Sequence, residues 1–127
     1  MLSSRDLNLY GLAKRIAEDS CCTDKHGSVI AHNGRVLAVA SNHMTSHPVS
    51  ASYGKDTQHA EQRAIKRAGP YTRGTVCYTA RDHFQDTSRP CDMCTELLVK
   101  AGVRRVVYSQ GEGVVVSERL SRVGLTR

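Results

Sequence analysis

Thr75-Val76-Cys77-Tyr78-Thr79-Ala80 and Val103-Arg104-Arg105-Val106-Val107-Tyr108-Ser109 are two β-rich runs with a helix between them. The helix opens at Pro90, where a proline fits a first turn. It carries an apolar face of Met93, Leu97, Leu98 and Ala101 and closes at Gly102. Strand, crossover helix and strand predict a parallel pair joined by a right-handed connection. That unit places the chain in the α/β class. Residues 81–89, between the first strand and Pro90, show neither strand nor helix pattern.

Upstream, residues 3–19 carry Leu7, Leu9, Tyr10, Leu12, Ala13, Ile16 and Ala17 as a helical stripe, with Ser3 or Ser4 as its N-cap. Such a helix covers one face of a sheet. A polar connection ending at Gly27 leads to two strands, 28–31 and 35–40, joined through Asn33-Gly34, a strong hairpin signal. Residues 41–58 lose periodicity around Pro48 and Gly54, and loops of that length in compact domains are functional or mobile. Helix signals return at His59, run through Ala60, Ala64, Ile65 and Ala68, and stop at Gly69-Pro70. The tail holds Gly111 and Gly113, then residues 114–120, which read as a short strand or a last helix. This order packs as three layers around a mixed sheet, in one domain over residues 1–127.

A chain of 127 residues can bury roughly two thirds of its unfolded surface without disulfide staples. With five Tyr, one Phe and no Trp, the core must come from Val, Leu, Ile and Ala. No run approaches the ~20 apolar residues of a membrane span, and the N-terminus is amphipathic, which reads as a cytoplasmic protein without membrane attachment. Cys21, Cys22, Cys77, Cys91 and Cys94 are odd in number and include two close pairs. In a reducing compartment that usage points to metal or buried thiols before disulfides. Eighteen Lys and Arg against 12 Asp and Glu leave a formal charge of +6, spread along the chain. The excess favours an anionic substrate or partner, nucleic acid included, and is also what a solvated basic surface looks like.

Two helix starts carry the chemistry. Cys91 and Cys94 stand three apart in a first turn, so their sulfurs face one way and the helix dipole favours their thiolates. Alone, the pair also fits a redox dithiol or half of a structural zinc site. His59 supplies a third ligand. The leftover His26, His32, His43, His47, His83, Cys22 and Cys77 lack ligand spacing, so three ligands with an open position for water account for the pattern better than a closed site. Glu61, two residues after His59, is placed to take a proton from that water and pass it on. A first-turn glutamate answering the helix dipole is the plain alternative. Residues two apart on a regular helix point about 200° from each other, so His59 has to sit at the helix edge. His43 and His47 could hold a second metal, although loop histidines are ordinarily just solvated.

His59-Ala60-Glu61 followed by Pro90-Cys91-Asp92-Met93-Cys94 resembles the His-x-Glu and Pro-Cys-x-x-Cys signature of the zinc nucleobase deaminases. Around it, Ser20-Cys21 before Gly27, Asn42 after the hairpin, and Ala101-Gly102-Val103 before Val106-Val107-Tyr108 resemble the deoxycytidylate (dCMP) deaminase branch. The resemblance implies a cytidine deaminase-like α-β-α sandwich with a mixed, mostly parallel five-stranded sheet. It also implies zinc-dependent hydrolysis of an exocyclic amine with release of ammonia. By position, His59, Cys91 and Cys94 would ligate zinc, Glu61 would shuttle protons, Asn42 would contact the sugar and the backbone at Ala60 would read the pyrimidine ring. Asn42 reads equally as a turn residue ending a strand.

A histidine as first ligand and a parallel last strand resemble the dCMP and tRNA-adenosine branches; free cytidine deaminases usually place Cys where this chain has His59. The tRNA enzymes typically carry Glu directly before Pro-Cys, where this chain has Arg89. The expected reaction is dCMP to dUMP in a homo-oligomer, with a free nucleoside or a base in tRNA or single-stranded DNA as alternatives. Residues 81–89 lengthen the approach to Pro90 and bring Arg81, His83, Phe84 and Arg89 toward the site mouth. An arginine there could bind a 5′-phosphate or remain an exposed side chain.

Overall fold

The computed structural model describes residues 2–44, 57–82 and 87–120. Its elements are α1 (Ser4–Glu18), β1 (His26–His32), β2 (Arg35–Ser41), β3 (His43–Met44), β4 (Thr57–Gln58), α2 (Ala60–Ala68), a 3-10 turn (Gly69–Thr72), β5 (Val76–Arg81), α3 (Asp92–Ala101), β6 (Arg105–Ser109) and β7 (Val115–Arg119). Five strands form one sheet in the order β2-β1-β5-β6-β7, while β3 and β4 pair separately. Asn33 and Gly34 close the β1–β2 hairpin with φ of 50° and 84°, the left-handed pair that a tight two-residue turn requires.

Alternation along the strands splits the core in two. On one face Val29, Ala31, Val76, Tyr78, Ala80 and Val107 pack with Leu9 and Ala13 of α1. On the other, Ile30, Ala38, Ala40, Cys77, Val106 and Tyr108 pack with Ala64, Ala68 and Leu98 of α2 and α3. The chain is thus the expected three-layer α-β-α sandwich. α1 lies so close to β1 that a Cβ on Gly27 would run into the backbone of Ala13 and Ala17.

The expected parallel pair is present: β6 runs parallel to β5, with Cys77 opposite Val106. The sheet is mixed but not mostly parallel, because β1·β2, β1·β5 and β6·β7 are all antiparallel. The tail is a strand, and a parallel return needs a crossover of a dozen or more residues. Instead the chain turns through Gly111, Glu112 and Gly113, all at positive φ. The last strand is therefore antiparallel, not parallel as the resemblance implied. α3 also begins later than expected, at Asp92, and buries Cys94, Thr95, Leu98 and Val99. Met93, assigned to the apolar face, is 49% exposed; the buried stripe is rotated so that Cys94 and Leu98 face inward together.

Ser3 caps α1 in a reciprocal box with Asp6. Asp6 also accepts from the Tyr78 hydroxyl at 2.7 Å and the Arg105 guanidinium at 2.8 Å, tying α1 to β5 and β6. Burial pushes the Asp6 pKa up, but Arg105, Tyr78 and the Ser3 amide outweigh it and hold the carboxyl at about 2. A depressed folded-state pKa contributes stability above the unfolded value and loses it as pH falls through the folded one. Asp6→Asn should cost about 3 kcal/mol at pH 7, since it leaves Arg105 without its partner. In urea melts the gap between the variant and the unaltered protein should narrow as pH falls from 4 toward 2. A gap independent of pH would show that Asp6 acts through packing alone.

Candidate metal centre and active site

α2 and α3 both begin at the end of the sheet where β5 and β6 finish. His59 is the N-cap of α2 (φ −70°, ψ 149°) and Cys91 the N-cap of α3 (φ −65°, ψ 167°), so both have extended backbone. The angular objection to pairing His59 with Glu61 therefore disappears: only Glu61 lies inside the helix. Pro90 precedes the cap rather than opening the helix. The Gln62 side chain accepts from the His59 backbone N–H at 3.1 Å and holds that entry.

His59 Nδ1 lies 3.2 Å from Cys94 Sγ and 3.8 Å from Cys91 Sγ, and the three ligand atoms fall within 4.8 Å of one another. Tetrahedral zinc with ordinary Zn–S and Zn–N bonds needs N···S and S···S separations of about 3.6–3.8 Å. The His59–Cys91 separation meets that requirement and the His59–Cys94 pair lies somewhat closer than it, and among the described residues no fourth His, Cys, Asp or Glu joins the trio. Burial raises the Cys94 thiol pKa strongly, and the charge of Glu61 raises it further. A sulfur there ionises only beside a compensating cation, which is what a metal supplies.

Glu61 is 4% exposed. The Thr79 hydroxyl donates to its Oε2, and Ser28 Oγ lies 3.2 Å from the same oxygen. Ser28 and Thr79 are register partners on β1 and β5, facing the α2 side. Sequence reading missed both; the available signal was a hydroxyl residue at an inward position of each apolar strand. Also missed was Ser88, which is 1% exposed, donates to Thr79 O at 2.9 Å and accepts from Ser109 N at 2.7 Å. It pins the approach to Pro90 between β5 and β6.

A cavity of about 490 Å³ opens over this centre and is lined by His26, Asn42, Ala60, Glu61, Ser88 and Arg89 among others. Ala60 is fully buried beside it. Asn42 is buried and much engaged: its Oδ1 accepts from Ser20 Oγ at 2.6 Å and His26 N at 2.9 Å, and its Nδ2 donates to Asp24 O at 2.7 Å. The two arginines of the approach loop are both matched by carboxylates. Arg81 pairs with Asp24, and Arg89 makes a two-point pair with Glu118 at 3.1 and 3.0 Å, with the Tyr108 hydroxyl on the same carboxylate. Arg89 lowers the Glu118 pKa, which burial alone would raise. Glu118 was not anticipated, because nothing in a sequence points from Arg89 to a tail strand. His43 sits 3.7 Å from Cys21 at the surface, while His47, His83 and Phe84 lie outside the described residues.

The model of the cytidine and deoxycytidylate deaminase zinc-binding region matches residues 3–110, and the chain belongs to that family of zinc-binding deaminases. Among solved structures it is similar to the dCMP deaminase of cyanophage S-TIM5 in apo form, at TM-score 0.63 and 23% identity over 84% of this chain and 82% of that one. It is also similar to cytidine deaminase from Burkholderia pseudomallei, at TM-score 0.69 and 19% identity over 94% of each chain. RibD from Acinetobacter baumannii matches at TM-score 0.56 and 21% identity, over 80% of this chain and 27% of that one. At these identities the likenesses establish the fold. No curated protein matches.

Protein purified without chelators should carry about one zinc per chain, with Cys94→Ala and His59→Ala retaining little of it. Metal analysis on the folded variants checks this. Zinc near zero in the unaltered protein would contradict the ligand set.

Proposed function

We propose that the protein hydrolytically deaminates a free cytosine nucleotide, dCMP to dUMP, with release of ammonia. The observation that carries this reading is the placing of a buried carboxylate, Glu61, beside the His59, Cys91 and Cys94 trio and at the floor of a cavity of about 490 Å³. Zinc held by the trio supplies Lewis acidity toward water in its open position. Glu61 takes one proton of the attacking water as its oxygen bonds to C4 and passes it to the ring nitrogen, then takes the second from the resulting C4 hydroxyl and passes it to the departing amine, the ring nitrogen keeping its proton in the uracil product. The C4–N bond breaks, ammonia leaves and the carbonyl of uracil remains. Thr79 and Ser28 both engage Oε2, which leaves Oε1 as the oxygen to exchange protons. The buried backbone at Ala60 meets the ring, and the Asn42 amide hydrogen not given to Asp24 meets the sugar.

A second reading, deamination of the free nucleoside, is favoured by one observation: Arg81 and Arg89 are already ion-paired, so neither offers an uncommitted charge to a phosphate. The antiparallel last strand also removes one of the features that resembled the nucleotide enzymes.

Ammonia release from dCMP, deoxycytidine, cytidine, CMP and a cytosine-bearing oligonucleotide separates these readings. Preferred turnover of dCMP supports the first, preferred turnover of nucleosides the second, and turnover of the oligonucleotide alone defeats both. Glu61→Gln should keep its zinc while kcat falls by about 10²–10⁴. Thr79→Val, which preserves shape and removes one donor, should keep zinc and lower kcat by about tenfold. Wild-type turnover by Glu61→Gln would remove Glu61 from the mechanism.

A further inference from the structure

Among the described residues, the cations behind the formal charge of +6 do not gather at the catalytic pocket. At the pocket end Arg81 and Arg89 are both paired, Lys25 and Arg63 donate to the backbone carbonyls of Glu18 and Ser41, and Glu18, Asp19, Asp92 and Glu112 lie on the elements that end or turn there. The opposite end of the sheet is different. One register row crosses it, with Val36 against Ala31, Ala31 against Val76, Val76 against Arg105 and Arg105 against Arg119. Arg35 starts β2 one position away, and Arg5 lies against the Gly34 turn. Arg73 and Arg104 flank the Gly74–Gly102 contact.

Arg5, Arg35, Arg73, Arg104 and Arg119 are exposed, and none forms an ion pair with a described carboxylate. Asp6 and Glu96 are taken by Arg105 and Lys100, and Glu118, next to Arg119 in β7, is taken by Arg89. Two concavities share Arg73. One of about 480 Å³ also holds Lys100 and Arg104; the other, of about 590 Å³, holds His32, Arg35, Leu37, Pro70 and Tyr71. Tyr71 is 73% exposed, an aromatic ring in the same concavity as apolar Leu37 and Pro70 and the arginines Arg35 and Arg73.

We propose that this end of the sheet, remote from the deaminase pocket, binds a single-stranded polynucleotide. Unpaired arginines track the phosphates, and Tyr71 gives a base a face to stack on. Cations lining a groove together with an exposed aromatic ring are the two parts of a sequence-tolerant single-strand site. A duplex offers no free base face to Tyr71, and an acidic protein or an anionic membrane would engage the arginines without needing the ring. The low aromatic content of the chain is no obstacle, since the ring is where the charge is.

The test uses the zinc-loaded full chain and a fluorescent 20-nucleotide oligothymidylate, which contains no cytosine and cannot be a substrate. Anisotropy at increasing NaCl should show binding with a log–log slope of roughly −3.5, as five cations on a single strand give. Replacing Arg35, Arg73 and Arg104 together by Gln should weaken binding at least tenfold and flatten the slope by about 2. Tyr71→Ala should weaken it about fivefold or more. Neither variant should change deamination of small substrates, and excess cytosine nucleotide should not displace the oligonucleotide. Competition by that nucleotide would place binding in the pocket and overturn the proposal. So would a salt slope shallower than −1 in the unaltered protein, a reading that depends on no variant's folding. Equal or tighter binding to duplex DNA, polyglutamate or phosphatidylserine vesicles, unaffected by Tyr71→Ala, would overturn it too.

Discussion

A carboxylate taken out of water costs several kcal/mol unless donors meet it, and Glu61 is met by two. The hydroxyls of Ser28 and Thr79 form a polar floor on a sheet face otherwise lined by Ile30, Cys77 and Val106. That floor exists because β1 and β5 are register partners at the centre of the sheet, and it lies under Glu61 because α2 begins above their ends. The metal ligands depend on the same placement. His59 and Cys91 each occupy an N-cap, where extended backbone lets a side chain turn toward the facing helix start. Pairing two helix starts across one sheet end also surrounds the site with unsatisfied N–H groups, a setting that favours thiolates.

Ser88 and Glu118 hold the far wall. Ser88 ties the segment before Pro90 to β5 and β6, while Glu118 on β7 receives Arg89 and Tyr108. The segment before Pro90 is thus fastened at its second half, and the arginines at its two ends are paired with Asp24 and Glu118. Across the sheet the balance reverses. Among the described residues the pocket-end arginines Arg81 and Arg89 are paired while Arg35, Arg73, Arg104 and Arg119 at the opposite end are not, so the two ends differ in a way that net charge conceals.

Much of this arrangement is legible in the amino-acid sequence. Asn33-Gly34 specifies its own turn because both residues tolerate positive φ, and the strand–helix–strand unit of residues 75–109 admits one handedness. The three metal ligands are legible for a chemical reason: few other demands place His and two Cys at helix starts. What a sequence does not carry on its face is direction and distance. The antiparallel course of β7 depends on a short turn rather than on strand composition. The rotation of α3 depends on where its first turn begins, a shift of two residues from Pro90 to Asp92. Ser28 and Thr79 meet Glu61 only through the register of strands separated by some fifty positions, and Arg89 meets Glu118 only once β7 is placed.

Zinc held by the two sulfurs of Cys91 and Cys94 and the imidazole of His59 would keep its fourth position for water beside Glu61. X-ray absorption at the zinc edge of the resting protein, without substrate, reads that coordination shell. The expected first shell is two sulfurs at about 2.3 Å with one nitrogen and one oxygen near 2.0 Å. A shell of three or four sulfurs, or of four protein ligands with no oxygen from water, would contradict it by describing a closed structural site.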